Sequence, residues 1–162
     1  MKYTTLVQDK VAIKINKDGN IVARVLKGGE KVKFKQTDSL VNVSEYDNNY
    51  AHLPSKPFSK IDYSKMPSII LDNDSSKVIG QSNTKRITIV ENDELYGFGL
   101  ITPNEDNITM QSLINAIKSN KIESIQLYLT RVSMNSNSTA GGKDANYITS
   151  IGSINLISIN TK

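Results

Sequence analysis

Few residues of this chain have the type and spacing that catalysis or metal binding requires. His52 is the only histidine, and no carboxylate accompanies it at a fixed spacing. The chain has no cysteine, which excludes thiolate nucleophiles, disulfides and cysteine-ligated zinc. It also lacks the Gly-x-Ser-x-Gly elbow and the glycine-rich loops that hold phosphates or dinucleotides. We therefore expect a protein that is not an enzyme, with no cofactor and no metal, although an enzyme that uses two converging carboxylates stays open.

Basic side chains form the clearest candidate binding surface. The chain has 20 lysine and arginine residues against 16 acidic ones, which gives a formal net charge of +4. Six basic residues could project from one side of the N-terminal strands: Lys10, Lys14, Arg24, Lys31, Lys33 and Lys35. Such a stripe would follow a phosphate backbone and bind it with a strong salt dependence. A solvated lysine face that protects sheet edges explains the same residues, so both interpretations stay open.

The first third of the chain has the alternation of apolar and polar residues that is typical of strands. Three segments place apolar side chains on one face: 10–16, 20–26 and 31–35. The turns at Asp18–Gly19 and Gly28–Gly29 are expected to join these segments into a meander. The next segment, 36–68, contains three prolines and several aromatic residues. It is predicted to be a long ordered loop or arm.

The second half of the chain combines strands with one helix. Helical spacing separates the apolar residues Met110, Leu113, Ile114 and Ile117, which predicts an amphipathic helix over about 109–120. Strand patterns occupy 68–71, a hairpin of 86–91 and 95–102, and the segments 125–130 and 147–161. A polar turn at 72–76 and a loop at 134–144 separate them. The sequence therefore predicts a single, mostly β domain of the α+β class over 1–162, with an antiparallel barrel or a sandwich-like architecture.

One hairpin resembles a known nucleic-acid-binding family. The segment from Arg86 to Pro103 reads RITIVENDELYGFGLITP and is similar to the first two strands of cold-shock domains, which are small OB-type barrels that bind single-stranded nucleic acid. The resemblance implies that Phe98 stacks on bases. Tyr96 stands where the family has a lysine, Leu100 stands where it has a second aromatic residue, and the chain contains no tryptophan.

The first functional hypothesis is a non-catalytic structural or assembly protein that acts through contacts with itself or with protein partners. Lysine, isoleucine, asparagine and serine are abundant, as in proteins encoded by AT-rich DNA, so a virion component of an AT-rich phage is the version we favour. The isoleucine-rich C-terminal strand could complete its own sheet or augment that of a neighbour. This hypothesis predicts a homo-oligomer.

The second hypothesis is a single-stranded nucleic-acid-binding protein with an OB-like barrel. Its phosphate contacts would come from Lys31, Lys33 and Lys35, and its base-stacking side chains would be Tyr96, Phe98 and Tyr128. A third hypothesis, a small host-directed inhibitor or adaptor, fits the same composition and has no signature of its own.

Location can be predicted from two absences in the sequence. No run approaches the roughly 18 consecutive apolar residues of a membrane span, and the first residues lack the apolar stretch of a secretory signal. We expect a protein of the producing cell's cytoplasm or of a virion, not secreted by a signal peptide and not associated with a membrane.

Overall fold

A computed structural model of the protein describes residues 3–10, 12–37, 50–55, 67–80, 87–91, 95–101, 108–138 and 144–162. Within these residues the chain forms eleven strands and one helix. The strands of the first half are β1 (Tyr3–Gln8), β2 (Ala12–Ile15), β3 (Ile21–Lys27), β4 (Lys31–Thr37), β5 (Tyr50–His52), β6 (Ser68–Leu71) and β7 (Asp74–Gly80). The remaining elements are β8 (Ile87–Glu91), β9 (Leu95–Ile101), α1 (Ile108–Lys118), β10 (Ile122–Ser138) and β11 (Asp144–Thr161).

The strands form two sheets. A seven-stranded sheet has the order β10-β1-β4-β5-β11-β6-β7, and a four-stranded sheet has the order β2-β3-β9-β8. The larger sheet is mixed, because β5 and β6 both run parallel to β11. The predicted class is confirmed: the protein is mostly β with one helix, and its architecture is sandwich-like.

Pairings within the larger sheet follow a circuit. Strand β10 pairs with β1 on one side and with β11 on the other, so the pairings run from β1 through β4, β5, β11 and β10 back to β1. In chain order, α1 lies between the third and fourth strands of this circuit. The sheet is nevertheless not a clean barrel, because β11 continues beyond the circuit and adds β6 and β7.

Both sheets and the helix contribute to one hydrophobic core. Strand β3 of the smaller sheet supplies Ile21 and Leu26, and α1 supplies Met110 and Leu113, all of them buried. The C-terminal strand β11 adds a row of buried isoleucines: Ile148, Ile151, Ile154, Ile157 and Ile159. These isoleucines therefore pack into the chain's own core. Apolar side chains of this size stabilise a fold by about 1.5–3 kcal/mol each when fully buried.

The N-terminal strands differ from the predicted meander. Strands β2 and β3 form the expected hairpin, with Gly19 at the turn in the left-handed region at φ 80°. The chain then changes sheets, because β4 pairs with β1 and β5 while β3 pairs with β9. The change occurs at Gly28, where an added Cβ would collide with the backbone carbonyl of Ser55. The turn is therefore packed against the segment that follows β5.

Three other predicted boundaries move. The segment 36–68 contains strand β5; its parts at 38–49 and 56–66 lie outside the described residues. The helix covers 108–118, close to the predicted 109–120. Strand β10 extends to Ser138, through residues that the sequence predicted to be a loop. None of the helices in the described part of the chain is long and apolar enough to cross a membrane.

Candidate functional site

The three predicted lysines of β4 project away from the core. Their neighbours Val32 and Phe34 are buried in it, and side chains alternate between the two faces of a strand. Lys31 is exposed, and Lys33 and Lys35 are half-buried. All three therefore stand on the outward face of the larger sheet.

Strand β5 brings aromatic side chains beside these lysines. It is only three residues long, and it is fixed because β4 pairs with it on one side and β11 on the other. Ala51 and Leu53 are buried in the core, which turns Tyr50 and His52 outward. The backbone N–H of Leu53 donates to the carbonyl of Glu30 at 2.9 Å, so the pairing with β4 continues beyond the strand.

Strand β11 adds a further aromatic ring to the same face. Tyr147 lies next to the buried Ile148 and is itself 38% exposed. Its ring stacks on that of His52, with ring centroids 4.9 Å apart and an angle of 19° between the planes. Tyr50, also 38% exposed, lies under the ammonium of Lys31, whose Nζ is 4.8 Å from the ring centroid.

These five residues form what we call the aromatic–basic face: Lys31, Lys33, Tyr50, His52 and Tyr147. The register places Lys31 opposite His52, and His52 opposite Tyr147. The same register places Lys33 opposite Tyr50. The carboxylate of Asp9 partly balances the charge, with its Oδ2 3.6 Å from Lys33 Nζ, but both side chains are well exposed, so the pair is weak.

The predicted basic stripe does not continue onto the rest of the N-terminal region. Lys14 and Arg24 are exposed on β2 and β3, and these strands belong to the four-stranded sheet. Lys10 follows the end of β1 and is exposed. The stripe is therefore divided between two sheets, and among the described side chains Lys31 and Lys33 are the basic residues that the structure places beside aromatic rings.

Tyr96 and Phe98 lie on β9, which pairs with β8 in the hairpin that the cold-shock resemblance predicts. The side chains of both residues lie outside the described part of the structure. Strand β9 occupies an inner position of the four-stranded sheet, between β3 and β8. The hairpin is therefore present, but it takes no part in the five-strand circuit of the larger sheet.

Tyr128 has a different environment from the one that base stacking requires. Its side chain is fully buried, and its hydroxyl donates to Asn73 Oδ1 at 2.8 Å. Burial raises the pKa of this phenol above its usual value. Because no face of the ring is accessible to a ligand, Tyr128 is not part of the aromatic–basic face.

The sequence pattern does not predict that Tyr50, His52 and Tyr147 lie together. The run Tyr50-Ala51-His52-Leu53 does alternate outward and inward residues, but it is too short to predict a strand amid prolines. His52 falls within the segment 36–68 that the sequence predicts to be a loop or arm. It lies instead in a strand and is half-buried against Tyr147.

Neither a metal-binding group among the described residues nor a match to a known protein indicates a function for the aromatic–basic face. Among the described residues, no group of three or more histidine, aspartate or glutamate side chains is arranged to hold a metal ion. Comparison with protein families, with curated proteins and with solved structures finds no match.

Proposed function

We propose that the protein binds single-stranded nucleic acid on the aromatic–basic face. The observation that carries this proposal is the juxtaposition of exposed aromatic rings and lysine ammonium groups on neighbouring strands. Tyr50, His52 and Tyr147 offer π surfaces. Lys31 and Lys33 stand directly opposite His52 and Tyr50 in register. Binders of single strands without sequence preference combine these two elements, since rings stack on bases and cations follow the backbone.

The kind of basic residue favours recognition of the backbone without sequence readout. Both cations of the face are lysines, which act as point charges on phosphates. Bidentate readout of guanine in a groove is most often the work of arginine, and the chain has only three arginines. Bases can stack on protein rings only when they are unstacked from one another, so the face favours single strands over a duplex.

The connectivity of the larger sheet gives secondary support. Five strands paired in a circuit, with a helix before the fourth, resemble an OB-type arrangement, which is a partly open five-stranded Greek-key barrel. Oligonucleotides and oligosaccharides bind such barrels on the second and third strands and on the adjoining loops. In this chain those two strands are β4 and β5, which carry four of the five residues of the aromatic–basic face. Fold analogy alone does not establish function, so the side chains carry the proposal.

Fluorescence anisotropy with a labelled oligo-dT tests the proposal. We expect binding at low salt and a steep loss of affinity between about 50 and 200 mM salt. Replacing His52 or Tyr147 by alanine is expected to cost about 1–3 kcal/mol of binding free energy, the usual value of one stacked base. Lys31→Gln is expected to reduce the slope of log affinity against log salt by about 0.7.

Two control variants make this experiment specific. Lys14→Gln removes an exposed charge from β2 and should leave the affinity nearly unchanged. Phe98→Ala examines the hairpin that resembles cold-shock domains. Loss of binding in Phe98→Ala, with full binding in Tyr147→Ala, would move the interface to the four-stranded sheet and contradict the proposal.

Assembly and adaptor functions stay predictions beside this one. Strand β11, which was the candidate for augmenting a neighbour's sheet, is paired on both sides at residues 146–147 and 156–159. Sedimentation velocity with the same labelled oligonucleotide separates the hypotheses. Label that moves with the protein and is released by salt supports nucleic-acid binding, whereas a defined protein oligomer without label supports assembly.

A further inference from the structure

We infer that strand β5 binds two successive bases of the nucleic acid, one at Tyr50 and one at the stacked pair of His52 and Tyr147. This inference rests on the proposed function and specifies how the ligand lies on the face. The two base positions are defined by Tyr50 and His52, which stand on the same side of one strand with the buried Ala51 between them.

Spacing along the strand determines what kind of ligand fits. Two residues of a β-strand span about 6.6 Å, so the two positions are separated by about twice the 3.4 Å rise between bases in a duplex. Neighbouring bases can occupy both positions only if they separate from one another. The spacing therefore selects an extended single strand and excludes one that keeps its bases stacked.

The two base positions differ in whether a base must displace a side chain in order to stack there. The rings of His52 and Tyr147 are already stacked on each other at 4.9 Å, so a base that joins them extends an ordered stack. Tyr50 has the Lys31 ammonium over its ring at 4.8 Å. A base that takes this side of the ring displaces the ammonium.

In the bound state the displaced Lys31 contacts the backbone of the ligand. By register Lys31 stands opposite His52, and Lys33 stands opposite Tyr50, so each base position has one lysine on the neighbouring strand. After leaving the ring, the Lys31 ammonium lies between the two positions and contacts the phosphate that joins the two bases. Ligand binding thus exchanges a cation–π contact for a charge-assisted contact with phosphate.

Oligonucleotides with a constant number of phosphates and a varied arrangement of bases test this inference. Each is about eight nucleotides long and is abasic except for one thymine, two adjacent thymines, or two thymines separated by two abasic positions. We expect the adjacent pair to bind about 5- to 150-fold more tightly than the single thymine, which is the range for one further stacked base. The separated pair is expected to bind like the single thymine.

Protein variants assign the two positions. Tyr50→Ala is expected to lower the affinity for the adjacent pair to about the affinity of the unaltered protein for the single thymine. Tyr50→Phe keeps the ring and should retain the affinity for the adjacent pair. Because Tyr50 is 38% exposed, both variants are expected to fold, and thermal unfolding verifies this.

The inference and the proposed function fail in different ways. Equal affinities for adjacent and separated thymines would overturn the two-base arrangement, even if His52 and Tyr147 were still required for binding. A fully abasic oligomer that binds as tightly as the others would show that bases are not stacked at all. If an unmodified oligo-dT does not bind at low salt, the proposed function itself is wrong.

Discussion

Two tyrosines on the outward side of the same strand pair have opposite environments. Tyr128 on β10 alternates with Leu127 and Leu129 of the core and therefore points to the outward side, yet it is 0% exposed. Tyr147 on β11 also points outward, beside the buried Ile148, and is 38% exposed. The sheet surface around Tyr128 is thus covered, and we call it the covered region. The surface around Tyr147, which carries the aromatic–basic face, is the open region.

The covered region is held by hydrogen bonds to the turn between β6 and β7. Asn73 accepts from the Tyr128 hydroxyl at 2.8 Å, and its own backbone N–H donates to Ser158 Oγ at 2.8 Å. Asp72 accepts from the backbone N–H of Thr161 at 2.7 Å. Turn and sheet therefore form a connected polar layer over the strands, and buried polar groups are costly unless they are paired in this way.

The open region has no comparable role in holding the fold. Its described side-chain contacts are a ring stack, a cation–π contact and an exposed ion pair, which are each worth about 1.5 kcal/mol or less. Exposed aromatic rings next to lysines contribute little to stability and are accessible to the proposed nucleic-acid ligand. Under the proposed function, stability and binding therefore depend on different residues of one sheet.

Alanine at the two tyrosines is expected to give the largest difference. Tyr128→Ala leaves a cavity in place of a fully buried ring, with an expected loss of about 3–5 kcal/mol in the free energy of unfolding. Tyr147→Ala loses the ring stack with His52 and is expected to cost about 0.5–1.5 kcal/mol of that free energy, while weakening binding to oligo-dT. Urea denaturation and anisotropy measure the two effects, and a large stability loss in Tyr147→Ala would contradict the distinction between the regions.

The turn gives the next effect in size. Asn73 has a φ of 56°, in the left-handed region that asparagine and glycine tolerate and that other residues adopt at a cost of about 1–2 kcal/mol. Both Asn73→Ala and Asn73→Gly remove the acceptor for the Tyr128 hydroxyl, so both should destabilise the protein. Asn73→Ala should be the less stable of the two by about 1 kcal/mol. Equal stability in urea would show that the backbone at this position can relax.

The covered region was easier to predict than the open one, for a physical reason. Long apolar periodicities in α1 and β11 determine which face is buried. Residue types that favour turns predict the turn at Asp72 and Asn73, although β7 begins at Asp74, within the predicted turn at 72–76. Tyr128 also alternates with leucines, however, and the sequence alone could not show that its outward side is covered by Asn73, far away along the chain. Alternation specifies a side of the sheet and does not specify what lies over it.

The open region depends on contacts between distant segments. Strand β5 has three residues, too few to form a strand by propensity, and it exists because β4 and β11 pair with it. The stack of His52 on Tyr147 depends on the same pairing. Gly28–Gly29 correctly predicted a turn between β3 and β4. The packing of this turn against Ser55 arises only in the folded chain.

Alkaline pH should destabilise the protein through Tyr128 of the covered region. Burial raises the pKa of Tyr128 in the folded protein above its ordinary value of 10.0. Below pH 10 its stabilising contribution is fully present, because the phenol is protonated in both states. Above pH 10 the unfolded state loses the proton first. The free energy of unfolding therefore falls as pH rises through the raised pKa, by at most about 1.4 kcal/mol per pH unit. Urea titrations between about pH 9 and 11 should show no such slope for Tyr128→Phe. Identical slopes in this variant and in the unaltered protein would contradict the role given to Tyr128.

The smallest effect concerns the charge balance of the open region. Asp9 Oδ2 lies 3.6 Å from Lys33 Nζ, and both side chains are well exposed, so Asp9→Asn should change the free energy of unfolding by less than about 1 kcal/mol. The same substitution releases Lys33 for phosphate and removes a negative charge beside the ligand. Affinity for oligo-dT should therefore rise at low salt, and the gain should disappear as salt screens the charges. Lys33→Gln combined with Asp9→Asn should abolish the gain, because it depends on the released ammonium. A gain that persists in the double variant, or in high salt, would place the ligand away from Lys33 and so away from the open region.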